Sequence, residues 1–218
     1  MSNRPRLLFT PMKIGSITLK NRIVFSAHLT NYAQDFMPSE RHLFYYRERA
    51  RGGAGLIITE EQSTHPTDHP YEKLIHAFHR RVIPHYRRIT AAVHAEDVPI
   101  LAQINHNGGQ GSGMFTRLPA WAPSALADPL FREVAKSVEH EDILEIIRGY
   151  ARVAAYTREG GFDGVELQCS HSSIVRQFLS RNTNHRTDEY GGALENRARL
   201  LREIVAAIRN EVGRDYVI

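Results

Sequence analysis

The chain has almost no cysteine: Cys169 stands alone among 218 residues. One thiol closes no intrachain disulfide and builds no cysteine-rich zinc or iron–sulfur site, so no metal is expected. Long hydrophobic runs are also missing, and no segment approaches the roughly 20 apolar residues that cross a bilayer. Residues 1–9 carry no secretory h-region, so no membrane partner and a cytoplasmic location are expected. Charge of one sign is scarce in excess, with 28 basic against 24 acidic residues and a net charge of +4. So small and dispersed a surplus makes no nucleic-acid surface. No Gly-x-Gly-x-x-Gly follows the first apolar run, which removes the main support for a Rossmann nucleotide fold. What is present is ordinary: 42% hydrophobic and 24% charged residues exclude disorder and collagen-like structure.

Five short apolar runs, at 23–25, 56–58, 100–102, 164–167 and 216–218, read mostly as strands buried on both faces. Segments of helical periodicity separate them. The first runs from an N-cap at Ser39 to a stop at Gly52 and Gly53. The second is predicted to begin at Pro84, with Tyr86, Ile89 and Val93 on one face, and to end before Pro99. The third spans 142–159, with Ile143, Ile146, Ile147, Tyr150, Val153 and Ala154 inward. The fourth spans 194–212, with Leu194, Ala198, Leu201, Val205, Ile208 and Val212 inward. Such alternation gives right-handed βαβ crossovers and a parallel sheet, either doubly wound or a barrel. A hairpin turning at Gly15 and Ser16 precedes the first strand and is placed to plug a barrel floor. The stretch 105–139, rich in Gly, Pro and Ser, reads as one long irregular loop.

Active sites of parallel barrels sit at the C-terminal strand ends. The residues leaving the first four strands are Ser26-Ala27-His28, Thr59-Glu60-Glu61-Gln62, Gln103-Ile104-Asn105-His106 and Gln168-Cys169-Ser170-His171. Amides, hydroxyls, carboxylates and imidazoles converging on one rim point to a site rather than to packing.

Two segments carry a family resemblance. Leu8-Phe-x-Pro-x-x-Ile-Gly-x-x-x-Leu-Lys-Asn-Arg-Ile-Val24 resembles the opening of the Old Yellow Enzyme family of FMN oxidoreductases. Gly161-Phe-Asp-Gly-Val-Glu166 with Asn184-x-Arg-Thr-Asp-Glu-Tyr-Gly-Gly-x-x-x-Asn-Arg197 is similar to its central block, including the 2,4-dienoyl-CoA reductase and trimethylamine dehydrogenase branches. The resemblance implies a TIM (β/α)8 barrel holding non-covalent FMN. It implies hydride transfer from NAD(P)H to the flavin, then to an activated alkene or enone as small-molecule substrate. Ser26, Ala27 and His28 would line the flavin ring, mainly through backbone groups. Leu29 stands where one branch carries its flavin-linking cysteine. Glu61 falls where a backbone packs against the flavin's polar edge, and Gln103 on the glutamine that bonds its pyrimidine. Gln168 and His171 occupy the pair that binds a substrate carbonyl. Ser173 stands where many members place a proton-donating tyrosine, so His171 or a water would supply the proton, or the reaction is a dehydrogenation.

Plainer roles stand beside these. Gln103 has a plainer alternative as an ordinary buried amide, and His171 as a core histidine capping the 172–179 turn. Arg186, Asp188, Tyr190, Asn196 and Arg197 read as a loop clamp built on Arg–carboxylate pairs. Cys169 reads as a small barrel-filling residue. His76, His79 and His85 read as solvated surface rather than a metal or phosphate site. Trp121 reads as either a lid or a loop anchor. The absence of lysine at any strand end speaks against a Schiff-base aldolase on the same fold.

Length is the remaining deficit. A barrel of this kind takes about 250 residues and eight strands, and the fifth run sits at residues 216–218 of 218. The expectation is one barrel domain, 1–218, lacking strands 6–8, the phosphate-gripping loops after strands 7 and 8, and the family's flavin-contacting arginine. It is expected to bind FMN weakly or not at all, and a truncated, non-catalytic remnant is the alternative reading. The sequence gives no oligomeric state.

Overall fold

A tight antiparallel hairpin, β1 (Met12–Ile14) and β2 (Ile17–Leu19), opens the computed structural model, which describes residues 7–218. Gly15 makes its turn at φ +54°, where a side chain is disfavoured. Residues 1–6 lie outside the described residues. There follow β3 (Val24–Phe25), α1 (Glu40–Arg51), β4 (Leu56–Ile58), β5 (Gln62–Ser63), β6 (Ile75–His76), α2 (Val82–His94) and β7 (Ile100–Asn105). The second half has α3 (Gly113–Thr116), β8 (Trp121–Ala122), β9 (Lys136–Ser137), α4 (His140–Glu159), β10 (Gly164–Leu167), α5 (Ile174–Leu179), α6 (Leu194–Arg197) and α7 (Arg199–Val212).

The main sheet is wholly parallel. β3 pairs with β4, β4 with β7, and β7 with β10. The fifth predicted strand reaches the sheet through one bridge, Gly164 to Val217, with the Val165 amide donating to the Val217 carbonyl at 2.9 Å. β7 also pairs with β5, and there the count slips. From Ile58 to Gln62 the second strand uses one residue more than β7 uses from Leu101 to Ile104. This is a β-bulge around Thr59, and it reverses which side chains face inward beyond it.

Alternation along the strands splits the core in two. Ile57, Ile100, Ala102, Ile104 and Val165 face the helices, where Tyr46, Tyr86, Ile89, Val93 and the α4 stripe bury them. Leu56, Ile58, Leu101 and Val217 face the other way and close on Leu19, Ile14 and Ile17 of the hairpin. The hairpin thus plugs the floor, as its position predicted. Above that apolar floor the same inward faces carry Gln103 and Glu166, which sit opposite each other in register.

Helix placement follows the periodicity with two corrections. α2 starts at Val82, not Pro84. Any first-turn amide lacks an intrahelical acceptor, so proline two residues inside costs the helix nothing. The single helix predicted over 194–212 breaks at Ala198 into α6 and α7. There the Arg197 guanidinium turns back to the Leu179 and Gly192 carbonyls, tying α6 to the preceding loop. The buried stripe of α7 becomes Leu200, Ile204, Ile208 and Val212. Leu194 and Val205 are exposed, and Ala198 and Leu201 are half-buried, against expectation.

The stretch 105–139 is also more ordered than predicted. A 3-10 turn at Gly108–Gln110, α3, and a parallel β8–β9 pair give it backbone partners. Ala120, Ala122 and Ala135 form its own small core. Trp121 is buried, with its ring 4.7 Å from that of His65 and Lys136 over its face, so it anchors the segment. Arg186 holds the segment from outside, donating to the Val138 and Pro123 carbonyls and pairing with Asp188. Of the expected clamp, Arg186–Asp188 is the Arg–carboxylate pair; Arg197 bonds backbone carbonyls instead, and Tyr190 bonds Glu203. No helix is long and apolar enough to cross a membrane among the described residues.

Candidate active site

The ends of β3, β7 and β10 and the bulged second strand open into one cleft of about 180 Å³. Ala27, His28, Leu29, Glu61, Tyr71, Gln103, Gln168, Ser170 and His171 line it. Six of the seven residues picked from the sequence therefore meet there; Ser26 is exposed and outside the lining. Larger hollows lie elsewhere, about 260 Å³ between α5 and the long segment and about 390 Å³ against β3. Neither collects strand-end polar groups, so the smaller cleft is the candidate site.

Gln103 is fixed from one side. Its Nε2 donates to Glu166 Oε1 at 2.7 Å, and its carbonyl oxygen takes no donor among the described residues. One N–H and one C=O are left for a ligand, so this is not merely a packed amide. Gln168 is more committed: Nε2 donates to the His171 carbonyl at 2.7 Å, and Oε1 accepts from the Ser170 amide at 2.8 Å. It shapes the turn that presents His171 and keeps one N–H free. His171 is exposed, with Nδ1 3.2 Å from Ser170 Oγ, which corrects the core-histidine reading. His28 is likewise exposed and stacks on Tyr45, whose hydroxyl lies 3.3 Å from its Nδ1.

Two neighbouring glutamates take opposite sides of the second strand. Glu60 points outward, accepting from the Thr30 amide at 2.9 Å and Thr30 hydroxyl at 2.6 Å, and bonding His42. Glu61 points inward and accepts from Asn105 Nδ2 at 2.7 Å. Burial raises its carboxyl above the ordinary range, and the Asn105 and Tyr71 donors oppose that rise.

Ser173 is buried and spent, donating to the Gln168 carbonyl at 2.6 Å and capping α5. Cys169 packs beside the helix-side core, and burial first, then the Glu166 charge, pushes its thiol up, so a nucleophile is the wrong reading. His76 corrects the solvated-surface reading. It lies flat on Phe36 with ring centres 4.3 Å apart, and burial drives its pKa down to about 3. The nearby Arg80, Arg87 and Arg88 are surface residues paired with Glu159 and Glu40.

Tyr71 lines this cleft, Glu166 and Asn105 bond its lining residues Gln103 and Glu61, and of the three only Asn105 stood among the strand-end residues read from the sequence. Glu166 was legible: two-residue alternation from Gln168 places it on the same inward face. Asn105 has the same parity as Gln103. Tyr71 follows the second strand by a loop, and no spacing rule marks it.

These residues fit the polar edge of an isoalloxazine. The open Gln103 amide offers one donor and one acceptor, and Asn105 Oδ1 is buried without a partner. No Lys or Arg lines the cleft, so its residues offer the cofactor's phosphate no cation.

Residues 7–218 match the sequence model of the NADH:flavin oxidoreductase / NADH oxidase family. The N,N-dimethylglycine/sarcosine dehydrogenase of Chromohalobacter salexigens is 37% identical over 97% of this chain and 31% of its own length. The solved 2-naphthoyl-CoA reductase complex superposes with a TM-score of 0.93 at 31% identity, over 97% of this chain and 34% of that one. The old yellow enzyme homologue of Zymomonas mobilis superposes at 0.91 with 30% identity, over 96% of this chain and 61% of that one. The chain thus spans about a third of the first relative and about three-fifths of the last, a parallel half of their barrel. With matched sequence, matched strands and one cleft at their C-terminal ends, the chain belongs to the NADH:flavin oxidoreductase / NADH oxidase family, whose cofactors are FMN and NAD(P)H.

Proposed function

We propose that this chain carries the flavin- and substrate-facing part of an oxidoreductase that passes hydride from NAD(P)H through FMN to an activated alkene of the enone type. The convergence of Glu61, Gln103, Gln168 and His171 in one strand-end cleft carries this reading. The chain is read as a single barrel domain acting in the cytoplasm on a small molecule. When bound, FMN supplies the hydride. Gln103, held by Glu166, gives its remaining N–H and C=O to the ring's pyrimidine edge. Ala27 and His28 offer backbone beside it. Gln168 and His171 supply N–H donors to a substrate carbonyl, which stabilises the negative charge that hydride addition places on its oxygen. The turn they share keeps both donors in one fixed orientation.

The test is anaerobic. The folded chain is mixed with FMN and NADH or NADPH, bleaching of the visible flavin band is followed, and cyclohexenone is then added. Bleaching followed by enone-dependent recovery supports the proposal. A folded chain that takes up no flavin leaves the remnant reading. Recovery absent with enone, alongside bleaching by a secondary amine, assigns the cleft to dehydrogenation.

A further inference from the structure

Reducing an enone needs a proton as well as a hydride, and Ser173 cannot give one because its hydroxyl is buried in the α5 cap. Another phenol stands in the cleft. Tyr71 enters it from the segment after β5 and lines it together with Glu61, and its phenol acts to hold the Glu61 carboxyl down. Behind Glu61 the polar groups continue inward. Asn105 Nδ2 donates to Glu61 at 2.7 Å, and Asn107 bonds Asp68 Oδ1 through its amide N–H at 2.9 Å and Nδ2 at 3.1 Å. Asp68 is 2% exposed, and its Oδ2 has no partner. Neither has Tyr150 Oη, which enters the same region from α4. A buried carboxyl oxygen without a donor is tolerated when it holds a proton.

We propose that Tyr71 is the proton donor of this cleft and that Glu61 restores its proton. The proposal rests on the oxidoreductase reading above and names the acid that reading lacks. Hydride addition to the β-carbon leaves an enolate whose electron pair lies at the α-carbon and oxygen. The Tyr71 O–H bond breaks as the α-carbon–hydrogen bond forms, and the phenolate keeps the O–H electron pair. The Glu61 carboxyl then gives its proton to the phenolate and is recharged from solvent entering the cleft that it lines. Alkene, NAD(P)H and one solvent proton become saturated carbonyl and NAD(P)+.

The electrostatics agree. Burial raises Glu61 and lifts Asp68 to about 7, with the Glu61 charge adding to the second, so the pair can hold a proton near neutral pH. Burial and the Glu61 charge keep the Tyr71 phenol protonated. The groups that face this pair are Tyr71, His171 and Tyr150 among titratable residues, with Asn105, Asn107 and Ser63 as neutral partners.

Tyr71→Phe tests the assignment in two ways. In the flavin-loaded protein, enone-dependent reoxidation should fall at least about 100-fold, the usual share of a general acid. Flavin reduction by NAD(P)H and reoxidation by ferricyanide, which makes no C–H bond, should stay unchanged. In the flavin-free chain, the carboxyl 13C resonance of Glu61, assigned with Glu61→Gln, should titrate at higher pH in Tyr71→Phe because a donor has been removed. Equal loss in reduction, ferricyanide and enone steps overturns the proposal, and so does an unmoved Glu61 midpoint. If the wild-type chain takes up no flavin, the oxidoreductase reading falls, and the Glu61 midpoint still decides whether Tyr71 and Glu61 form one unit.

Discussion

Gln103 and Glu166 sit opposite each other in the β7–β10 register, and the amide of one donates to the carboxylate of the other at 2.7 Å. An acceptor on one side settles which end of the amide is which, and turns the carbonyl oxygen toward the cleft. Glu166→Ala should therefore weaken flavin binding about tenfold by freeing Gln103 to rotate, since a hydrogen bond to a charged group contributes about 1.5–3 kcal/mol. Fluorescence titration with riboflavin measures this, and Gln103→Ala in the same background should add little further loss.

The lining of the cleft predicts an unusual insensitivity. With no Lys or Arg around it, the terminal phosphate of FMN meets no partner there. Riboflavin and FMN should bind the chain with affinities within about a factor of ten, less than 1.4 kcal/mol apart. Parallel titrations of the two ligands decide it, and a much tighter FMN complex would place a phosphate grip elsewhere on these residues.

Asp68 gives stability a definite pH dependence. Folded, it keeps its proton up to about pH 7, against 3.8 ordinarily. Between those values the folded state binds more protons than the unfolded one, so this group's contribution to stability falls as pH rises. Asp68→Asn removes the liability. The variant should be more stable than wild type at pH 8, by on the order of 3 kcal/mol, and should lose that advantage below pH 4. Urea melts at both ends of the window test the sign.

The clamp on the long segment is open to a direct challenge. A Cβ on Gly191 would lie 2.0 Å from the Arg186 carbonyl oxygen, so the backbones must part. Gly191→Ala should cost about 3 kcal/mol, the upper range for overpacking. Arg186→Ala takes the donor from the Val138 carbonyl and leaves the Pro123 carbonyl only the Ser137 hydroxyl, and should make the segment around 124–138 the first site of limited proteolysis. Thermal unfolding and fragment mapping read the two effects separately.

Much of this architecture was legible in the sequence because it rests on local rules. Ser39 and Gly52 bound α1 as cap chemistry predicts, and the whole α4 stripe from Ile143 to Ala154 is buried. Strand-end polarity brought six of the picked residues to one cleft. Long-range effects stayed hidden. The break at Ala198 depends on Arg197 reaching back to Leu179, a contact no periodicity encodes. Tyr71 enters the site through the course of a loop, and His76 was hidden by the aromatic residues that cover it.

The bulge at Thr59 decides which side of the second strand each following side chain takes. Paired without the bulge, regular alternation from Ile58 would turn Glu60 into the cleft and send Glu61 to the helices. The two letters are the same, so the cleft would keep a carboxylate after such a slip. The penalty would fall on the outer side, where Gln62 would leave the Tyr86 hydroxyl that bonds it and Glu60 would abandon Thr30 and His42. In this strand the register is guarded by the helices, and the repeated glutamate makes the cleft side indifferent to a reading error of one.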